Sequence, residues 1–373
     1  MVFLVCECME LAERKEDEMK VLFLSAWYPT ERDAMAGLFV QKHAQAVKEQ
    51  GAEVKVIYSE ARGLQWWREI IQQWKSLKQA WGKPDIVQMN VLDKNGLFAL
   101  WLKLRYRVPY IIVEHWSGYL SENFAFRGGL HGWLMRTIAR HAASILPVSQ
   151  KLEDAMKACG IKNSHWQRIH NVVDDFFFHP ITHLTIPKKT TNKYRLLHVS
   201  CFDEKAKNIQ GLLRALRTVA NQRQDFEVVV VGTGIDYQKD RSFAEKLNFP
   251  PNMLYFTGEQ TPYEVAQWMQ QSDAFILFSR YETYAVVLAE AVATGLPIIS
   301  TSTAGIASEL PKECGITIEN ENKNQLVAAI HHMLNQRDQY KAESIKKHSH
   351  FFHTQAVGKD LLAIYDRCLH SHI

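Results

Sequence analysis

Short runs of branched and aliphatic residues alternate along this chain with helical stretches, and the alternation starts over midway. Val21 to Ser25, Val54 to Tyr58, Asp85 to Met89, Tyr110 to Val113 and Ser144 to Val148 make the first series. Arg195 to Ser200, Phe226 to Val231, Met253 to Thr257, Ala274 to Phe278 and Ile298 to Thr301 make the second. Parallel strands need long crossovers, so this rhythm predicts an α/β chain built on parallel sheets. The restart predicts two doubly wound, Rossmann-like domains facing a cleft at their strand ends. The polar, Pro-containing stretch from His179 to Lys193 is the expected linker. It divides a front domain, 19–180, from a back domain, 181–350. Residues 351–373 follow as a terminal helix, with Val357, Leu361, Leu362, Ile364 and Tyr365 at helical spacing.

A length of 373 residues, 47% of them hydrophobic, suits two such cores. No apolar run approaches the roughly eighteen residues that a membrane span requires, which predicts a soluble protein. Met1 to Cys6 is apolar but short, lacks a basic start and runs into the charged stretch Glu10 to Glu18, unlike a secretory signal. Met19 is therefore the expected natural start, since Lys20 to Ser25 already reads as a buried strand. Six scattered cysteines, Cys6, Cys8, Cys159, Cys201, Cys314 and Cys368, show no zinc spacing and fit a reduced, cytoplasmic compartment. The sixteen histidines read as mostly surface residues.

The net charge of +4 is unevenly spread. From Met19 to Pro180 there are 21 basic and 14 acidic residues, and from Ile181 onward 21 and 20. This tilt favours an anionic partner for the front domain, such as a membrane surface or phosphorylated lipid. Along 67–81, Trp67, Ile70, Ile71, Trp74, Leu77 and Trp81 share a helical face, with Arg68, Lys75, Lys78 and Lys83 elsewhere. Such a helix can lie on a membrane. Packing against the first sheet is the preferred reading.

The chemistry concentrates near the end. Glu282 and Glu290, with seven residues between them, bracket an apolar segment, Val286 to Ala293, that reads as a buried helix ending near Gly295-Leu-Pro297. A carboxylate inside such a helix needs a partner, because desolvation alone costs several kcal/mol or shifts its pKa. A hydroxyl-rich ligand would supply one. A strand-to-helix junction also carries Lys207-Asn208, where an ammonium and a helix N-terminus could meet a pyrophosphate. Gly232-Thr-Gly234 follows a strand and permits close backbone approach, but Tyr237 stands where a dinucleotide fingerprint needs its third glycine. A nicotinamide oxidoreductase is disfavoured on that ground.

Glu282-Thr-Tyr-Ala285, Glu290-Ala291 and Gly295-Leu-Pro-Ile-Ile-Ser300 together resemble the donor-site signature of the family 4 retaining glycosyltransferases of GT-B fold. The resemblance implies transfer of a sugar from a nucleotide diphosphate to a saccharide or lipid-linked acceptor in cell-surface polysaccharide or glycoconjugate synthesis. It implies no cofactor beyond that co-substrate, no metal, no nucleic-acid partner and no firmly established protein nucleophile. By the same resemblance Glu282 contacts the donor sugar or supports the reacting centre, and Glu290 accepts from the ribose hydroxyls. Lys207 and Asn208 grip the phosphates, helped by the amides of Tyr284 and Ala285 and by the close approach of Gly37, Gly232 and Gly234. His115 lies near the transferred sugar. Asn171-Val-Val-Asp174 holds the interdomain turn, Ala304 to Glu309 closes under the donor with Glu309 as a candidate, and the terminal helix crosses back to the first domain. One departure stands out: Cys201 occupies the position of an expected arginine, so either Lys205 substitutes or the donor is held with fewer charges. An epimerase or phosphorylase on the same fold, or a noncatalytic sugar-nucleotide binder, are the alternatives. The expected location is the cytoplasm, with peripheral contact at the inner face of the membrane.

Overall fold

Runs such as Val21-Leu-Phe-Leu24 and Ile111-Ile-Val113 are buried along their whole length, as strands covered on both faces must be. The computed structural model describes residues 18–370 apart from 32, 34, 190 and 191; the expectation about residues before Met19 lies outside it. The first sheet contains β1 (Lys20–Ser25), β2 (Glu53–Tyr58), β3 (Ile86–Asn90), β4 (Tyr110–Glu114) and β5 (Ser144–Pro147), in the order β2-β1-β3-β4-β5. The second contains β6 (Tyr194–Val199), β7 (Phe226–Val231), β8 (Leu254–Gly258), β9 (Ala274–Leu277), β10 (Ile298–Thr301) and β11 (Gly315–Ile318), in the order β11-β10-β9-β6-β7-β8. Every pairing is parallel. This is the expected pair of doubly wound halves, with one strand, β11, that the sequence pattern did not reveal.

The helices of the front half are α1 (Leu38–Glu49), α2 (Gly63–Trp81), α3 (Asn95–Tyr106), α4 (Gly129–His141) and α5 (Gln150–Ala158). Those that follow are α6 (Glu204–Lys207), α7 (Ile209–Ala220), α8 (Tyr237–Lys246), α9 (Pro262–Gln270), α10 (Val286–Thr294), α11 (Lys323–Asn335), α12 (Ala342–Lys346) and α13 (Thr354–His370). Local chemistry sets their ends. Thr261 and Glu264 form a reciprocal capping box at α9, with Pro262 in its first turn. Gly295, at φ 78°, closes α10 in the left-handed conformation.

One apolar core runs from the front sheet through the contact between halves onto one face of the back sheet, and a second fills the other face. α13 packs on α1, and its Tyr365 hydroxyl donates to the Gln88 side chain in β3. The stretch after His179 is tied down: Gln267 of α9 accepts from the amides of Thr185 and Ile186, and Lys189 pairs with Asp273. On α2 the buried stripe is Trp66, Ile70, Trp74 and Trp81. It starts one residue earlier than the periodicity suggested, and Ile71 is turned to solvent.

Candidate functional site

A cleft of about 590 Å³ opens where the C-terminal ends of β4, β6, β7 and β9 converge, lined by Phe39 and His115 from the front and by Cys201, Lys207, Gly232, Glu282, Tyr284, Ala285 and Glu290 from the back. The short strand β9 delivers its chain into a tight loop, 278–285, before α10 begins. Ala285, the residue before the helix, takes a left-handed φ of 62°, unusual for a residue with a Cβ. That turn brings the start of α10 to the cleft wall, with no acidic residue in its first turn. The free amides and the positive end of the helix dipole there suit an anion.

Glu282 is engaged. Its Oε1 accepts from Lys207 Nζ at 2.6 Å and from Ser279 Oγ at 2.8 Å, and its own amide donates to the Thr303 carbonyl. Burial works against the charge on Lys207, but the bonded Glu282 carboxylate, aided by Cys201 and Asp203, outweighs it and raises the ammonium's pKa. Lys207 itself ends α6, and Asn208, at φ 51°, turns the chain into α7. The Asn208 side chain accepts from Arg280 and lies outside the cleft lining. Lys205, the candidate to stand in for the missing arginine, reaches Asn123 instead, because α6 points it across to the front half. Cys201 is exposed in the cleft wall as a free thiol.

Glu290 is the contrasting acid. It projects from the middle of α10 into the cleft, and its carboxylate makes no hydrogen bond among the described residues. Desolvation raises its pKa to about 7, with Lys42 pulling it down and Asp174 pushing it up. Lys42 and Asp174 pair with each other at 2.8 Å.

The front wall is built on two helix and strand ends. His115 follows β4, almost fully buried, with its ring 3.8 Å from that of Phe39 and 5.9 Å from that of His43. Its Nε2 has no hydrogen-bond partner among the described residues. Burial first, and His43 second, hold it well below the usual imidazole range, so the ring is neutral. Gly37, expected at the donor, precedes α1 at φ 65° and lies outside the lining; a Cβ there would lie 2.3 Å from the Trp27 carbonyl oxygen, so that glycine serves the turn. In the back wall Gly232, at φ 125°, passes so near the Ser200 carbonyl that a Cβ would come within 1.9 Å. Gly234 abuts the Phe202 backbone and lies outside the lining, so that glycine serves the turn.

Glu114, at the end of β4, was not singled out in the sequence. Its carboxylate accepts from the amides of Leu92, His115 and Trp116, at 2.9, 2.9 and 2.8 Å. It fixes the loop that presents His115. Burial raises its pKa to about 7 against the pull of those three bonds. The only signal was an acid at the end of an apolar strand. Glu309 is a correction: it pairs with Arg168 and accepts from the Gln150 amide, so it joins the two halves and is not part of the cleft lining. The Asn171 to Asp174 segment holds the junction, Val173 donating to the Phe352 carbonyl and Asp174 accepting from Lys42. Among the described residues no group of three or more His, Cys, Asp and Glu side chains is arranged to hold a metal ion.

Comparison with known proteins gives the geometry a family. Residues 193–336 match the profile described as "Glycosyl transferases group 1", and residues 8–172 match "Glycosyl transferase 4-like domain". An N-acetyl-alpha-D-glucosaminyl L-malate synthase of Bacillus anthracis is 29% identical over 222 residues, 55% of this chain and 57% of its own length. The N-acetylgalactosamine-N,N'-diacetylbacillosaminyl-diphospho-undecaprenol 4-alpha-N-acetylgalactosaminyltransferase of Campylobacter jejuni is 24% identical, over 65% of each chain. The chain spans about half to two thirds of the length of the curated relatives it matches. Among solved structures, Anabaena HepE in complex with UDP and glucose superposes with a TM-score of 0.70 at 16% identity, over 94% of this chain and all of that one. That likeness establishes the shared fold. The two profile matches flank the junction and leave few residues between β1 and α11 outside them, so the chain belongs to the group 1 glycosyl transferases and has the GT-B fold.

Proposed function

We propose that this protein transfers a sugar from a nucleoside diphosphate to a hydroxyl of a saccharide or lipid-linked acceptor, in the synthesis of a cell-surface polysaccharide or glycoconjugate. The observation that carries the reading is a pair of acids on one helix and its entry loop, in opposite states. Glu282 is already held by Lys207 and Ser279, while the Glu290 carboxylate has no hydrogen-bond partner among the described residues and burial raises its pKa to about 7. The Lys207 ammonium has three protons, so it can keep Glu282 and still take a phosphate oxygen. The first amides of α10 supply further stabilisation where negative charge builds on the leaving group. Glu290 then accepts from the ribose hydroxyls, and the neutral His115 hydrogen-bonds the sugar from the opposite wall.

In the transfer, the bond from the anomeric carbon to the phosphate oxygen breaks as the acceptor oxygen bonds to that carbon from the same face. The acceptor's proton passes to the departing phosphate oxygen, and configuration is retained. The reading requires no metal and no cofactor besides the donor. The Campylobacter relative's name specifies a diphospho-undecaprenol acceptor, which favours a lipid-linked one here. We place the protein in the cytoplasm, with peripheral contact at the inner face of the membrane through the outer side of α2 and α3. Leu64, Ile71, Trp101 and Leu104 are exposed there, and Lys75 and Lys78 rim the groove between the two helices. No helix of the described residues is long and apolar enough to cross a membrane.

Thermal-shift titration with UDP-, GDP- and ADP-sugars tests the function, because a ligand bound only by the folded state raises the melting temperature. One class of donor should raise it and, with acceptor absent, be slowly hydrolysed. A donor that is bound but never hydrolysed or transferred would make the protein a noncatalytic binder. Retention of the protein on anionic but not neutral vesicles tests the membrane contact.

A further inference from the structure

The loop carrying Glu282 is fastened from both sides of the cleft. Within the back half, the amide of Glu282 donates to Thr303 and the carbonyl of Tyr284 accepts from Ile306. From the front half, the hydroxyl of Ser149 donates to the carbonyl of Thr283, the residue next to Glu282, at 2.6 Å. Ser149 is fully buried at the β5–α5 junction and also caps α5, its oxygen accepting from the Leu152 amide at 3.2 Å. A serine hydroxyl has one proton and two lone pairs. The cap uses a lone pair, so the proton is committed across the boundary between halves.

The Thr283 carbonyl that takes it belongs to the back half, so the bond exists only while the two halves are in contact. Two neighbouring contacts cross the same boundary: Lys151 Nζ reaches the Thr303 carbonyl at 3.3 Å, and the Tyr284 hydroxyl sits 3.1 Å from His170 Nδ1. We propose that Ser149 is a positioning residue: its hydroxyl sets the Thr283 carbonyl, and with it the carboxylate of Glu282, only when the front and back halves are closed. Closure of the halves and alignment of Glu282 then become a single event. This rests on the donor site proposed above.

Three substitutions separate the cap from the cross-cleft bond. Ser149→Thr keeps both, Ser149→Asp keeps the cap but has no proton to give, and Ser149→Ala removes both. With the donor identified, Ala and Asp should lower kcat by about tenfold or more while donor KM changes little, since a misplaced group costs rate before it costs binding. Thr should retain most of the activity. Hydrogen exchange reads the same bond without turnover: in Ser149→Ala the amides of 279–286 should exchange about fivefold to tenfold faster, the equivalent of one lost hydrogen bond. Wild-type kcat in Ser149→Asp, a Thr variant as slow as Ala, or faster exchange confined to 150–158 would each overturn the proposal by assigning Ser149 to the cap alone. If the wild type turns over no sugar nucleotide, the function fails, while the exchange measurement still decides whether Ser149 holds the loop.

Discussion

The back wall of the cleft has its charged atoms engaged in advance, whereas the front wall keeps hydrogen-bonding atoms unsatisfied. Behind, Lys207, Ser279 and Glu282 form one bonded group, and the Glu282 loop is tied at Glu282, Thr283 and Tyr284. In front, the Nε2 of His115 and the Oδ1 of Asn171 are buried without partners among the described residues. Preorganised charge is what a reaction that develops negative charge needs at its leaving end, because no reorganisation is left to be done when the bond breaks. Unsatisfied neutral groups are what a polyhydroxyl ligand can complete on binding. Glu290 belongs to the back wall by sequence but resembles the front wall in its empty hydrogen-bonding capacity.

The contrast can be broken most severely from behind. Glu282→Ala should lower the rate of sugar transfer by about 10²–10³, the usual cost of removing a preorganised electrostatic contact, with donor binding largely kept. Steady-state nucleotide release checks this, and a variant with wild-type kcat would remove Glu282 from the chemistry. Glu290→Ala should act the other way, weakening donor binding by about tenfold or more through the loss of hydrogen bonds to a charged acceptor, with a smaller effect on kcat.

Glu290 also gives the site a pH signature. Its carboxyl, raised from 4.5 to about 7, must release a proton to accept from ribose as a carboxylate. Donor affinity measured by calorimetry should therefore rise between pH 6 and 8 and level off above, and this rise should vanish in Glu290→Gln. The stability of the free protein should run in the opposite direction. Glu114 and Glu290 both bind a proton more tightly folded than unfolded, so stability should fall as pH rises from 4.5 through about 7.

Glu290 was legible in the sequence because a helix reports its own burial through its apolar neighbours, and it stands among Leu288, Ala289, Ala291 and Val292, whereas Glu282, in the loop before the helix, stood out only through the family resemblance. The repeated strand pattern was legible for the same reason. What escaped notice depends on distant segments meeting. Ser149 reads as a helix cap, and only the second half shows where its proton goes. Glu309 looked like a site residue until Arg168, 141 positions away, came beside it. Lys205 and Lys207 are two residues apart in one short helix, and the fold alone sends one across to Asn123 and the other into the cleft. The strand β11 is four residues long, with only its last side chain buried, so its pattern is too short to stand out.

Smaller changes sharpen the front wall. His115→Asn should reduce kcat by about tenfold, and because burial keeps the ring neutral, no activity step near pH 6.5 should belong to it. Glu114→Gln can keep its oxygen for the His115 and Trp116 amides but sets its NH2 group against the Leu92 amide, which should destabilise the fold by about 1–3 kcal/mol in denaturant titrations. Its effect on turnover should be several-fold and should follow the loss of His115 orientation. Cys201→Arg carries the smallest expected effect. A cation restored beside Lys207 should tighten donor binding a few-fold at low salt and less at high salt, as screening requires.

A crystal structure with an intact nucleotide sugar, or a hydrolysis-resistant analogue, is the most direct test. Phosphate oxygens should lie within hydrogen-bonding distance of Lys207 Nζ and the first amides of α10, ribose hydroxyls on the Glu290 carboxylate, and the sugar between Glu282 and His115. Electron density for the ligand in any other cavity, with Glu290 still unpartnered and the Lys207–Glu282 pair untouched, would contradict this placement.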